Sequence, residues 1–185
     1  ASESVQAPET ASVAGKLDVG ETRVTLDVSL SDLGGQSIEG AVVGFTTGAS
    51  TAAIAGEETP GIAGSYNIKL GSAASGRVDA QKSFDPSTDP GDIGVGDALD
   101  ALRIALNLDP SFGPATPENL IAADVTGDGS VGVSDALDIL RFVVDVETEN
   151  VPRWVFVDKD ADLSSVTDKG SVAYEPGLDL ASVDG

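Results

Sequence analysis

The 185 residues contain no cysteine, no methionine and no histidine. These absences remove disulfides, thiol nucleophiles, the usual zinc and copper ligands, and every mechanism that needs an imidazole. One tryptophan, two tyrosines and five phenylalanines are too few for an obvious sugar-stacking platform, and Trp154, at strand spacing, reads as core. Basic residues are also scarce, 10 against 31 acidic ones, for a net charge of -21. Such a field repels nucleic acid and anionic membrane surfaces. No apolar run is long enough to cross a bilayer, so no membrane insertion is expected. The amino terminus, ASESVQAPET, lacks a basic n-region and an apolar core, so no signal peptide is present in it. The expectation is an exported chain whose signal has been removed, or a piece of a larger protein, that folds without disulfides.

Enzymatic chemistry finds little support. Serines have no histidine partner, and neither SYNIKL nor TDKGS offers a Ser-Lys motif. Aspartates such as Asp100 and Asp138 read as solvated positions on a polar helix face rather than as a glycosidase pair. The chain is therefore expected not to be an enzyme. Hard oxygen ligands remain for metal chemistry, which favours calcium, magnesium or manganese.

Two periodicities divide the chain. Val24, Leu26, Val28 and Leu30 alternate with polar residues, a half-buried strand. Further short strand segments follow in IEGAVVGFTTG, SYNIKL and GRVDAQKSF, which predicts a small antiparallel sandwich. From Asp97 the period becomes helical, with Leu99, Leu102 and Leu106, then Leu137, Leu140 and Val144, at i, i+3 and i+7. DALDALRIALNL and DALDILRFVVDV are copies of one another: Asp97 aligns with Asp135, an offset of 38. After Val146 strand patterns return in RWVFVD and SVAYE.

Ahead of the second helix stands DVTGDGSVGVSD. A twelve-residue calcium loop takes oxygens from positions 1, 3, 5, 7, 9 and 12, with glycine at 6 for the sharp turn. Here Asp124, Asp128 and Asp135 supply carboxylates, Thr126 a hydroxyl and Ser130 its carbonyl, Gly132 leaves position 9 to water, and Gly129 makes the turn. Val131 occupies the apolar position 8, where two such loops commonly touch. The upstream copy, DPSTDPGDIGVGD, offers Asp85, Ser87, Asp89, Asp92 and Asp97, with Ile93 facing Val131. Pro90 makes it one residue too long, which puts a second full site in doubt. The competing reading of each loop is an acidic turn whose last aspartate caps a helix.

Aspartate at position 12, followed by ALDIL and present in two copies, resembles the type I dockerin family over roughly residues 85 to 146. The resemblance implies calcium as cofactor and a cohesin-like domain as partner, met through loop positions 10 and 11, here Val95, Gly96, Val133 and Ser134. The polar pairs frequent in cellulosomal dockerins are missing from those positions. The upstream strands are similar to the carboxypeptidase-regulatory or prealbumin-like sandwich. Their order, with PRWVFVD after the repeats, looks like a module of secreted repeats-in-toxin proteins.

The expected fold class is therefore α+β: an N-terminal antiparallel β-sandwich, prealbumin-like or immunoglobulin-like, then a dockerin-like pair of calcium loop-helix repeats and a short C-terminal β segment. The expected boundaries are 1–11 for a flexible or strand-donating segment, 12–84 for the sandwich, 85–147 for the repeats and 148–185 for a β-rich end packed on what precedes it or incomplete. The function so implied is a non-catalytic, calcium-binding structural or interaction module of a secreted or cell-surface protein. Its partners would be calcium and a cohesin-like domain or neighbouring copies of the parent protein. Two alternatives stand beside it: a true dockerin in a multi-enzyme assembly, and an accessory domain of a polysaccharide-degrading enzyme.

Overall fold

The computed structural model describes residues 9–16, 24–48, 53–70, 75–87, 89 and 93–181. Residues 1–8 of the expected N-terminal segment, and Asp92 of the first loop, lie outside them. In chain order the elements are β1 (Glu9–Lys16), β2 (Val24–Ser31), β3 (Val42–Thr47), β4 (Ile54–Ala55), β5 (Glu57–Glu58), β6 (Ser65–Leu70), β7 (Gly76–Ser83), α1 (Val95–Ala105), α2 (Pro117–Ala123), α3 (Val133–Val143), β8 (Arg153–Trp154), β9 (Phe156–Asp158) and β10 (Leu178–Leu180). The class is α+β, with mainly antiparallel sheets. The chain forms two units, each built from separate stretches: Glu9–Lys82 with Phe156–Ala161 and the segment from Glu175, and Ser83–Val155 with Asp162–Tyr174.

In the strand unit one sheet has the order β5-β6-β2-β1-β9 and the other contains the path β10-β7-β3-β4. All of these pairings are antiparallel except β1 with β9, where Glu9 lies opposite Phe156. The period-two pattern of β2 sends Val24, Leu26, Val28 and Leu30 to the buried side, opposite Leu70, Ile68 and Tyr66 of β6. The other sheet buries Val43 and Phe45 of β3 and Val78 of β7, with Phe45 and Val78 in register. Each fully buried side chain of this size contributes about 1.5–3 kcal/mol. The Tyr66 hydroxyl accepts the Ala41 N–H at 3.0 Å and lies 3.3 Å from the Ile38 carbonyl, which fixes the turn between β2 and β3. SVAYE forms no strand; the last strand is β10, paired to β7 beyond Gly177.

In the helical unit α1 and α3 pack on each other. Their buried faces are small: Ala98, Ala101, Ile104 and Ala105 on α1, Ala136 and Ile139 on α3. Leu120 and Ile121 of α2, Val131, Val166 and Val172 complete this core. The leucines expected to face inward do not. Leu99 is 51% exposed, Leu106 56%, Leu137 43% and Val144 54%. The reason is that both helices are apolar on two sides, so a helical period is satisfied by either. At about 100° per residue, Val95, Leu99, Leu102 and Leu106 form one narrow ridge beside the alanine face, with Leu102 at the shared edge and partly packed on the core. No helix among the described residues is long and apolar enough to cross a membrane.

Candidate metal centre

The second loop begins where α2 ends and finishes inside the first turn of α3. Thr116 caps α2 and Pro117 sits at its first position, so the helix is set by its own N-terminal chemistry. Asp124 is its C-cap residue and only 7% exposed; Asp135, in the first turn of α3, is fully buried. Thr126 joins them. Its N–H donates to Asp135 Oδ1 at 2.9 Å and its hydroxyl to Asp124 Oδ1 at 3.3 Å. The rest of the loop wraps Asp124: Gly127 and Asp128 N–H groups donate to Oδ1 at 2.8 and 3.1 Å, and Gly129 N–H to Oδ2 at 2.9 Å. Gly127 (φ 73°) and Gly129 (φ 85°) take left-handed conformations that this wrap requires.

Burial pushes the Asp124 carboxyl above its ordinary value. The Gly129 and Gly127 N–H bonds oppose that rise and the neighbouring Asp135 charge adds to it. Among the described residues no lysine or arginine forms an ion pair with either carboxylate. Two buried carboxylates thus share one residue, Thr126, and the nearby Arg153 guanidinium is turned to the Val125 carbonyl at 3.4 Å without an ion pair to either. That donor set, all oxygen, fits a hard cation. Asp128 stands apart from it: its Oδ1 accepts the Ser130 N–H at 2.9 Å and hydroxyl at 2.7 Å. Accordingly, among the described residues no three acidic side chains converge as a ready metal cluster.

The first loop is arranged differently. Asp85 Oδ1 accepts the Ser87 N–H at 2.9 Å and hydroxyl at 2.6 Å, while Asp89 Oδ2 accepts the Asp85 N–H at 2.8 Å. The same Asp89 oxygen receives the Trp154 indole N–H at 2.7 Å, so Trp154 is half-buried and serves as a donor rather than as plain core. Asp97 accepts the Gly94 N–H at 2.7 Å, matching Asp135 and Gly132 at 2.8 Å.

Ile93 and Val131 pack against one core. The Val131 N–H donates to the Lys169 carbonyl at 2.7 Å, and Val172 N–H donates to the Gly129 carbonyl at 3.0 Å. Among the described residues, the second loop thus pairs its backbone with the downstream segment 168–172.

The duplication continues past the loops. Asp100 and Asp138 are not solvated: they are 3% and 5% exposed. Asp100 binds the Ser111 N–H at 2.7 Å and hydroxyl at 2.6 Å; Asp138 binds the Thr148 hydroxyl and the Asn150 amide, both at 2.7 Å. The bonds from Asn150 and Thr148, aided by the Arg141 guanidinium, hold the Asp138 carboxyl below its ordinary value against its burial. Each helix then ends at a left-handed residue, Asn107 (φ 57°) or Asp145 (φ 55°), again 38 apart. The N–H groups of Leu108 and Val146 close the ends at 2.8 Å on the carbonyls of Arg103 and Arg141. Spacing showed the helices; the clasp to the following turn had a signal too, an aspartate repeated at the same place in both copies.

No family model, curated protein or solved structure matches this chain.

Proposed function

We propose that this chain is a non-catalytic calcium-binding structural or interaction module of a larger secreted or cell-surface protein. The observation that carries the proposal is the pair of buried carboxylates, Asp124 and Asp135, bridged by Thr126 and, among the described residues, without an ion pair to a lysine or arginine. Calcium would be held by Asp124, Thr126, Asp128, the Ser130 carbonyl and Asp135. It would offset the repulsion and the burial cost of the two acids, so folding and binding are coupled. Asp128 would exchange its bond to Ser130 for the ion. In the first loop Asp85, Ser87, Asp89, Asp92 and Asp97 form the weaker candidate, since Asp89 already serves Asp85 and Trp154. The two sheets of the strand unit are read here as a prealbumin-like sandwich, and the helical unit as a dockerin-like repeat pair.

Extracellular calcium modules bind at about 10⁻⁴ to 10⁻³ M. A tenfold excess over Kd then stabilises the fold by about 1.4 kcal/mol. Calorimetric melting with calcium and with chelator tests this. A calcium-dependent rise in Tm that disappears in Asp124→Ala supports the proposal; identical curves under all conditions refute it.

A second reading, docking to a cohesin-like protein, is favoured by the exposed apolar ridges Val95/Leu99/Leu106 and Val133/Leu137/Leu140/Val144. Loss of a co-purifying partner on Leu99→Lys with Leu137→Lys would support it. Retention of that partner by the double variant would count against it.

A further inference from the structure

We infer that residues 168–172 are the built-in partner of the second loop and set its affinity for calcium. The inference rests on the calcium reading of that loop and adds where its support comes from. Two backbone bonds carry it, Val131 N–H to the Lys169 carbonyl (2.7 Å) and Val172 N–H to the Gly129 carbonyl (3.0 Å). They grip the turn glycine at position 6 and the apolar residue at position 8, on either side of Ser130, whose carbonyl would face the ion. Gly129 in turn donates its own N–H to Asp124 Oδ2. The segment therefore reaches a ligand carboxylate through one residue, Gly129.

The gripping turn is pre-shaped. Ser171 N–H closes on the Asp168 carbonyl at 3.1 Å, and Gly170 N–H on the Asp168 carboxylate at 2.7 Å. Lys169 further donates its ammonium to the Ala105 carbonyl at the end of α1, and Val172 is 3% exposed within the same core as Val131. Sequence spacing sets Val131 against Ile93 of the upstream loop; the backbone bonds add a segment more than thirty residues downstream.

Support of this kind behind a metal ligand is worth about ten- to a hundredfold in affinity. The test is a calcium titration of the full chain against Val172→Pro, which deletes the N–H, and Val172→Ala, which keeps it while trimming the side chain. The expected result is a ten- to hundredfold weaker Kd for Val172→Pro and less than a threefold change for Val172→Ala. Equal affinities for all three chains, or equal losses in both variants, would overturn the inference while leaving the loop a calcium site. No calcium binding by the unsubstituted chain would sink the underlying reading and this one with it. Should Val172→Pro fail to fold, amide exchange in the unsubstituted chain decides. Val131 and Val172 should slow together on adding calcium, and slowing confined to 124–135 rules the partnership out.

Discussion

The two copies of the repeat agree where they build helices and part where they build loops. Gly94 and Gly132 open the helices, Asp97 and Asp135 bind those glycines, Asp100 and Asp138 clasp the following turn, and Asn107 and Asp145 end each helix at left-handed φ. In the loops, however, the matched position 5 differs: Asp128 accepts from the Ser130 N–H and hydroxyl, whereas Asp89 accepts from the Trp154 indole and the Asp85 N–H. Helix caps and clasps stabilise the fold with or without an ion, so both copies need them. On the proposed reading, the second loop would in addition be completed by an ion.

The largest expected effect separates the two loop-closing aspartates. Asp135→Ala leaves two N–H groups at a fully buried site without an acceptor and should cost about 2–4 kcal/mol in chelator, plus the whole calcium increment. Asp97→Ala also loses its cap bond to Gly94 but should leave the calcium increment intact. Urea unfolding with and without calcium measures both. Loss of the calcium increment in both variants, or in neither, would erase the distinction between the loops.

The clasps should behave alike. Asp100→Ala and Asp138→Ala each remove a buried carboxylate that binds its following turn and should cost about 2–3 kcal/mol. Asp138 adds a pH signature. Its folded-state carboxyl lies below its ordinary value of 3.8, so its contribution is complete above that value and fades as pH falls through and below it. A plot of stability against pH should lose this acid limb in Asp138→Asn. A limb of unchanged steepness would remove the clasp from the account.

A smaller effect, of opposite sign, probes the helix ends. Asn107→Gly and Asp145→Gly relieve left-handed residues and should each stabilise the chain by about 0.5–1 kcal/mol, equally in both copies. The smallest concerns the exposed ridges: Leu99→Lys and Leu137→Lys should shift stability by less than about 0.5 kcal/mol. A loss above 1 kcal/mol would mean that the ridges are buried after all.

Much of this was readable in the sequence, and the failures have physical causes. Alternation at Val24 to Leu30 located β2 because a strand with one buried face has no second way to satisfy a period of two. The offset of 38 located α1 and α3. Which side of them is buried was not readable: alanine and leucine ridges lie next to one another, and close approach of two helices favours the smaller side chains. Asp100 and Asp138 were misjudged because a charged residue on an amphipathic helix ordinarily faces water, and their partners, Ser111, Thr148 and Asn150, lie ten or more residues on. Ser171 to Glu175 looked like a strand from its alternation, yet Val172 makes its backbone bond to Gly129 in a loop, a long-range pairing that local pattern does not encode. The spacing of 124–135 sets Asp128 toward an ion; that it accepts from Ser130 instead is a local bond that spacing does not encode.

Calcium titration by calorimetry of the unsubstituted chain beside Asp135→Asn and Asp97→Asn tests the central claim most directly. The account predicts one calcium bound per chain, binding abolished in Asp135→Asn, and binding kept in Asp97→Asn. No binding by the unsubstituted chain, or binding that survives Asp135→Asn, would contradict it.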